Sequence, residues 1–315
     1  MRNGYTMIVK HNLSPTRILI YVWRQVVYSA AVATAAVALF EITDWHSLAF
    51  PFAPVGVLGS AMAIFVAFRN NASFARWWDG RTSWQAIHSA SRNFARHLVS
   101  FTDDAVRSGR VTTEQAGSYA AELIHRQISF AHLLHHQLRG TSGWDQISAL
   151  VSGEELARLQ ASPNPANRVL ITQGVRLKDG IRDGLLGQFD PISIEPNFGQ
   201  FTVQQGLLER IKHTPTPRQY EYFTRLFVLL FATVLPFALL SVCTATWIVI
   251  PASTVLAGIF IIMATVGTAN EDPFENRATD VPLAAICASI ERDLRDALGE
   301  TDLPLPPTPV NGYLW

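Results

Sequence analysis

Charged residues are scarce in this chain of 315 residues. Asp, Glu, Lys and Arg make up 16% of it, against about 25% in an average soluble domain, while 49% of the residues are apolar. The 25 basic and 25 acidic residues cancel, so no net positive charge attracts nucleic acid and we expect no such partner. This composition also excludes a disordered chain, a collagen and a coiled-coil rod.

Signatures of covalent and catalytic chemistry are missing as well. The two cysteines, Cys243 and Cys287, are too few for a disulfide framework, and we interpret both as buried thiols. The sequence has no GxxxxGK[ST] loop, no GxGxxG after a strand and no GxSxG elbow. It therefore predicts a protein that is not an enzyme and that needs no cofactor.

The few charges are unevenly distributed. None lies within 226–270 or within 45–68, and Arg24 alone interrupts 18–40. Because about 20 helical residues cross a bilayer core, these runs predict four transmembrane helices, at 19–41, 50–68, 224–243 and 247–269. The first run is too long and starts too late for a cleaved signal peptide. The last two helices would be joined by a turn at 244–246 or at Pro251.

Basic residues indicate the orientation of these helices. The stretch 1–17 has three basic residues and no acid, the connection 42–49 has Asp44 and no base, and 69–96 has five arginines against one acid. We therefore expect both termini in the cytoplasm. The chain would divide into a cytosolic segment 1–18, membrane helices in 19–68, a cytosolic helical region 69–222, membrane helices in 223–270 and a cytosolic segment 271–315.

Helical periodicity dominates the region between the two membrane pairs. Within 84–102, apolar residues recur every three or four positions, as they do within 114–138. No strand-like alternation of useful length interrupts them. The fold class we expect is an all-α integral membrane protein.

Three histidines stand close together at His132, His135 and His136. On a helix this spacing could hold a metal ion, but no cysteine or acid lies beside them in the sequence. Two imidazoles are too few ligands for a closed site. We interpret the histidines as packed in a helical bundle and predict no metal.

Ser60, Ile64 and Phe68 recur every four residues, on one face of the second predicted membrane helix. By spacing alone such a stripe is usually packing. If several identical helices formed a ring and turned this stripe toward the ring axis, the stripe would form a hydrophobic constriction.

The stretch that follows carries a resemblance to a known family. FRNNASFARWWDGR, from Phe68, is similar to the signature of the bestrophins, in particular the bacterial branch. Further stretches match the family in the same order along the chain: RILIYVWRQ, ERIKHTPTP, and EDPF followed by DVPL and IER. The resemblance therefore covers almost the whole chain. The family-motif residues are Arg69, Asn70, Arg76, Trp77, Trp78, Asp272, Pro273 and Phe274.

The resemblance implies a homopentamer around one central ion pathway. By match to the family, Ser60, Ile64 and Phe68 would line a narrow neck, and Ile192, just after an Asp-Pro pair, would form a second, cytosolic aperture. Animal members bind calcium through a run of acids after Asn-Pro-Phe. That run is missing after Phe274, so we predict no calcium site of that kind.

The function implied is a channel that passes monovalent ions across the bacterial inner membrane. Animal relatives conduct chloride. Here the outer connection carries Glu41 and Asp44 and no base, and a ring of acids at a pore mouth concentrates cations, so we favour cations. The alternative is a membrane-anchored sensor or scaffold that binds a ligand or partner through its cytosolic helices.

Overall fold

The computed structural model describes residues 7–8, 15–43, 49–309 and 313–314. Helices dominate the described residues, which confirms the all-α fold class. They are α1 (Pro15–Thr43), α2 (Phe52–Arg107), α3 (Thr113–Arg139), α4 (Trp144–Ser148), α5 (Gly153–Gln160), α6 (Pro165–Arg182), α7 (Asp190–His213), α8 (Arg218–Leu239), α9 (Val249–Glu271) and α10 (Leu283–Ala297). A two-residue antiparallel pair joins β1 (Met7–Ile8) to β2 (Tyr313–Leu314).

Within the described residues, four helical segments are long and apolar enough to cross a membrane, which confirms the predicted number. They are Val22–Thr43, Phe52–Arg107, Arg218–Leu239 and Thr246–Glu271. A 3₁₀ turn at Thr246–Ile248 opens the fourth, so the connection lies near 244–246 as predicted. The alternative turn at Pro251 is wrong, because this proline lies in the first turn of α9, where its missing N–H costs no hydrogen bond.

The chain folds as two compact units. The membrane unit comprises Lys10–Trp77 and Pro215–Asp272, and the amphipathic unit comprises Met1–Val9, Trp78–Thr214 and Pro273–Trp315. Helix α2 contributes its first half to the membrane unit and its second half to the amphipathic unit.

Close helix packing holds the membrane unit together. Phe231 of α8 lies so near Gly59 of α2 that a Cβ on this glycine would come 2.9 Å from its ring. The same ring meets Phe260 of α9 edge-on, with the ring centroids 5.0 Å apart. Small residues at helix interfaces permit this approach, as in other membrane bundles.

Helix α3 is the central helix of the amphipathic unit and packs against α6 and α10. It begins with a capping box, in which the Thr112 side chain accepts the Gln115 N–H, and ends at Gly140 in a left-handed conformation. Most residues of the predicted stripes are buried and confirmed as core: Trp84, Ile87, Phe94 and Leu98 on α2, with Ile124, Ile128, Ala131 and Leu134 on α3. Ala121, also predicted for the α3 stripe, is only half-buried.

Candidate functional site

An exposed apolar stripe runs along α2 in the membrane unit. Ile64 is 59% and Phe68 72% exposed, and Ser60, one turn earlier, is exposed and donates its hydroxyl to the Gly56 carbonyl oxygen (3.0 Å). Within one chain these side chains are therefore not core residues, which removes intrachain packing as the explanation of the stripe.

The opposite face of α2 is fixed to α9 by a buried arginine. Arg69 donates to the Thr268 hydroxyl (2.9 Å) and to the Ala264 carbonyl oxygen (3.2 Å), and lies 3.5 Å from a Glu271 carboxylate oxygen. The side chains of Arg69 and Glu271 are 5% and 9% exposed. A buried charge needs such a partner, so this contact fixes how α2 packs against α9.

Two further motif residues extend this contact. The Asn70 amide donates to the Met263 carbonyl oxygen (2.9 Å) and lies against Gly267, where a Cβ would collide with it. Arg76 donates to the backbone oxygen of Glu271 (2.8 Å). The arginine-asparagine part of the motif thus makes polar contacts along one edge of α9, while the apolar stripe is left on the other face.

The motif tryptophans lie at the junction of the two units in sequence. Trp77 stacks on Phe74 with ring centroids 6.0 Å apart, and Trp78 is half exposed. In the amphipathic unit, Phe274 is fully buried against Gly80, where a Cβ would lie 3.0 Å from its ring. Asp272 directly follows α9 and closes the membrane unit, and Pro273 begins the next segment of the other unit.

The loop after Phe274 turns one acid inward. Asp280 is fully buried, accepts the backbone N–H of Arg277 (3.0 Å) and has Arg139 close by. Burial raises the pKa of this carboxyl to about 6, although the N–H and both arginines lower it. Glu275 pairs instead with Lys212, 2.6 Å away. Both acids thus have protein partners.

Ile192 lies in the first turn of α7 in the amphipathic unit and is 69% exposed. Asp190 accepts the backbone N–H of Gly187 (2.6 Å) and so fixes the turn from which the helix starts. The neighbouring Phe189 is also largely exposed. This isoleucine is therefore available to line an aperture between copies of the chain.

Of the two predicted pore-mouth acids, Glu41 is near the end of α1, exposed, and accepts the Thr246 hydroxyl (2.6 Å). Asp44 lies outside the described residues.

The histidine cluster has partners that sequence neighbours did not indicate. His132 lies 2.8 Å from a Glu291 carboxylate oxygen, and Cys287 lies beside His132 and His135. His136 contacts the Thr141 hydroxyl instead (2.8 Å). Cys287 is buried, as predicted, whereas Cys243 is only half-buried.

Burial also affects the protonation of this cluster. It lowers the pKa of His135 to about 3 and raises the pKa of the Cys287 thiol. Hydrogen bonding to His132 keeps the pKa of Glu291 below its usual range. Sequence reasoning missed Glu291 and Cys287 as partners of the histidines because each lies more than 150 positions from the α3 residue that it contacts.

Four apolar helices, with an exposed stripe on one and buried polar contacts behind it, define a helical membrane protein. The chain belongs to the bacterial bestrophins: residues 8–296 match the family described as Bacterial/Fungal Bestrophin protein. This confirms the resemblance inferred from the motifs.

Curated relatives and solved structures agree. The Escherichia coli (strain K12) voltage-dependent anion channel-forming protein YneE is 32% identical over 281 residues, 88% of each chain. Its counterpart in Salmonella typhi is 31% identical over 304 residues, 94% of this chain and 95% of the relative. A crystal structure of a bacterial Bestrophin homolog from Klebsiella pneumoniae superposes with a TM-score of 0.79 at 26% identity, covering 89% of this chain and 99% of that one. The names of the two curated relatives describe channels rather than enzymes.

Proposed function

We propose that this protein is an ion channel formed by identical subunits, with the α2 stripe lining its neck. The observation that carries the proposal is the exposure of Ile64 and Phe68, in the second half of the predicted span 50–68, on a helix whose opposite face is fixed by buried polar contacts. Copies of α2 around an axis would enclose a hydrophobic constriction, which conducts only when it is wetted.

Small residues on the same side of α2 fit this arrangement. Ala61, Ala67, Ala72 and Ala75 are exposed and flank the stripe, and small side chains let neighbouring membrane helices approach closely. The polar Ser60 and Asn71 are exposed on this side too. A face turned only to lipid would gain nothing from polar groups, whereas a water-filled pathway solvates them.

The assembly we propose is a homopentamer in the bacterial inner membrane, with both termini in the cytoplasm. Family membership supports the pentamer and the membrane location, and the arginines after the second span support the orientation. Exposed Ile192 would form the cytosolic aperture. The permeating species would be monovalent ions, and the lipid bilayer and further copies of the chain would be the partners.

Two observations favour opposite ion selectivities. The names of the curated relatives specify anions. The outer connection of this chain carries Glu41 and Asp44 and no base, which favours cations. The exposed carboxylate of Glu41 at the end of α1 also favours cations, so we retain cations as the prediction.

The reversal potential of the purified protein in planar bilayers under a KCl gradient tests the function. A shift toward the potassium equilibrium potential supports a cation channel, and in that case a Glu41→Gln, Asp44→Asn double variant should move it toward chloride. A shift toward the chloride potential would overturn the cation preference alone. Absence of current in every condition would favour the sensor or scaffold alternative. Native mass spectrometry of the same sample gives the number of subunits.

A further inference from the structure

The feature that the channel does not use is a cluster of metal-ligating side chains inside the amphipathic unit. His132 and His135 project from α3, and Cys287 faces them from α10. One ligand atom from each residue lies within 4.8 Å of the other two. We propose that His132, His135 and Cys287 bind a zinc-class divalent metal ion that joins α3 to α10.

The distances suit such an ion. A tetrahedral zinc ion with Zn–N near 2.0 Å and Zn–S near 2.3 Å holds its ligand atoms roughly 3.5 Å apart. Ligand atoms that already lie within 4.8 Å reach this separation by small side-chain rotations. Three protein ligands leave a fourth position for water. Thiolate and imidazole select zinc, cobalt and their neighbours, whereas calcium and magnesium prefer oxygen ligands.

Glu291 provides the orienting contact that metal-binding histidines commonly have. Its carboxylate oxygen lies 2.8 Å from His132 Nε2, and Arg295 donates to its other oxygen (2.9 Å). A carboxylate only accepts, so Nε2 is the donor in this contact, and in the neutral ring Nδ1 is the nitrogen with the lone pair that can bind a metal. A carboxylate–histidine pair of this kind fixes the ring and strengthens the histidine as a ligand.

The surroundings also accommodate the charge of an ion. Cys287 is 1% exposed, and its thiol donates only a weak hydrogen bond to the Ala131 carbonyl oxygen (3.5 Å). On metal binding the Sγ–H bond breaks, the sulfur electron pair goes to the ion and the proton leaves to solvent. The thiolate and Glu291 then balance the two positive charges. Arg139 lies near the cluster, and Asp280 offsets its charge.

The test uses the full chain in detergent, stripped with a chelator and titrated with Co²⁺ and then Zn²⁺. We expect one Co²⁺ per chain, a thiolate-to-cobalt charge-transfer band in the near ultraviolet, and loss of that band when Zn²⁺ displaces cobalt. We also expect Zn²⁺ to raise the melting temperature. A wild-type protein that gives no charge-transfer band, or that binds Co²⁺ without saturation, would overturn the site.

Matched variants locate the signal. Cys287→Ala and His135→Gln should abolish the band or weaken Co²⁺ binding at least tenfold, and Glu291→Gln should weaken it about 10- to 100-fold. Cys243→Ala, which removes the other thiol, and His125→Gln, which removes a histidine paired with Glu300, should leave it unchanged. If Cys287→Ala fails to fold, the Cys243→Ala variant still identifies the ligand, because the chain has only these two cysteines. A charge-transfer band that persists in Cys243→Ala assigns the thiolate to Cys287, and loss of the band in that variant overturns the assignment.

Discussion

Arg69 and Glu271 form an ion pair between α2 and α9, with Nη2 3.5 Å from the carboxylate oxygen and both side chains nearly fully buried. The guanidinium makes two further hydrogen bonds to α9, to Thr268 and to the Ala264 backbone. The pair links residues about 200 positions apart in the sequence. Arg69 is the second residue of the FRNNASFARWWDGR motif.

Removing one partner of this pair should destabilise the membrane unit. Glu271→Ala leaves a buried, uncompensated arginine, and we expect a loss of about 3–5 kcal/mol, measured as a fall in melting temperature in detergent. Combining it with Arg69→Met should restore part of the loss. The control is Glu154→Ala, which breaks an exposed pair with Arg158 and should change little. A Glu271→Ala protein as stable as the wild type would contradict the role of the pair.

Truncating the α2 stripe should widen the neck. Ile64→Ala and Phe68→Ala should each raise single-channel conductance, because a smaller apolar side chain lowers the dewetting barrier. Leu229→Ala on α8, also an exposed apolar residue of the membrane unit, is the control and should leave conductance unchanged. Dissociation of the oligomer with loss of current would instead place the stripe in a subunit interface.

Two glycines of α6 should respond oppositely to alanine. At Gly180 a Cβ would lie against the ring and hydroxyl of buried Tyr119, which donates to the Arg176 carbonyl oxygen (3.3 Å) and stacks under its guanidinium. Gly180→Ala should therefore lower stability by about 1–3 kcal/mol, as overpacking does. Gly174 has open space, so Gly174→Ala should raise stability by about 0.5–1 kcal/mol. Thermal melts of the two variants check the sign of each change, and equal shifts would contradict the packing at Gly180.

Asp280 should make stability depend on pH. Its pKa rises from 3.8 to about 6 in the folded chain, so the folded state binds this proton more tightly than the unfolded state. The stabilisation is complete below pH 3.8 and is lost as the pH rises to about 6. Asp280→Asn keeps an acceptor for the Arg277 N–H and removes the titration. The difference in melting temperature between wild type and variant should change across this interval, and a constant difference would contradict the burial effect.

Local patterns predicted the elements that a single segment of sequence determines. The uncharged runs gave four membrane helices, and the stripes at Trp84–Leu98 and Ile124–Leu134 gave buried helix faces. Charge scarcity and a 3.6-residue period are properties of neighbouring residues, so they can be read without knowledge of the tertiary structure. The two-residue strands at Met7 and Tyr313 were too short for any periodic signal.

Contacts between distant segments could not be predicted in this way. From the sequence we interpreted His132, His135 and His136 as bundle packing without a metal, because Cys287 and Glu291 join them only through the packing of α10 on α3. Arg69 was recognised as a motif residue without its partner Glu271. Exposure of Ile64 and Phe68 likewise depended on which face of α2 packs inside its own chain.

The amphipathic unit is built from segments that are far apart in the sequence, and this separation determines the order in which the protein can fold. Its central helix α3 leaves the ribosome early, but α10, whose buried side includes Cys287, Ile290 and Leu294, follows only after α8 and α9. Until then the α3 face that α10 covers stays exposed to water and to chaperones. The last two membrane helices are therefore available for insertion before the amphipathic unit is complete, so bilayer insertion can precede its final assembly.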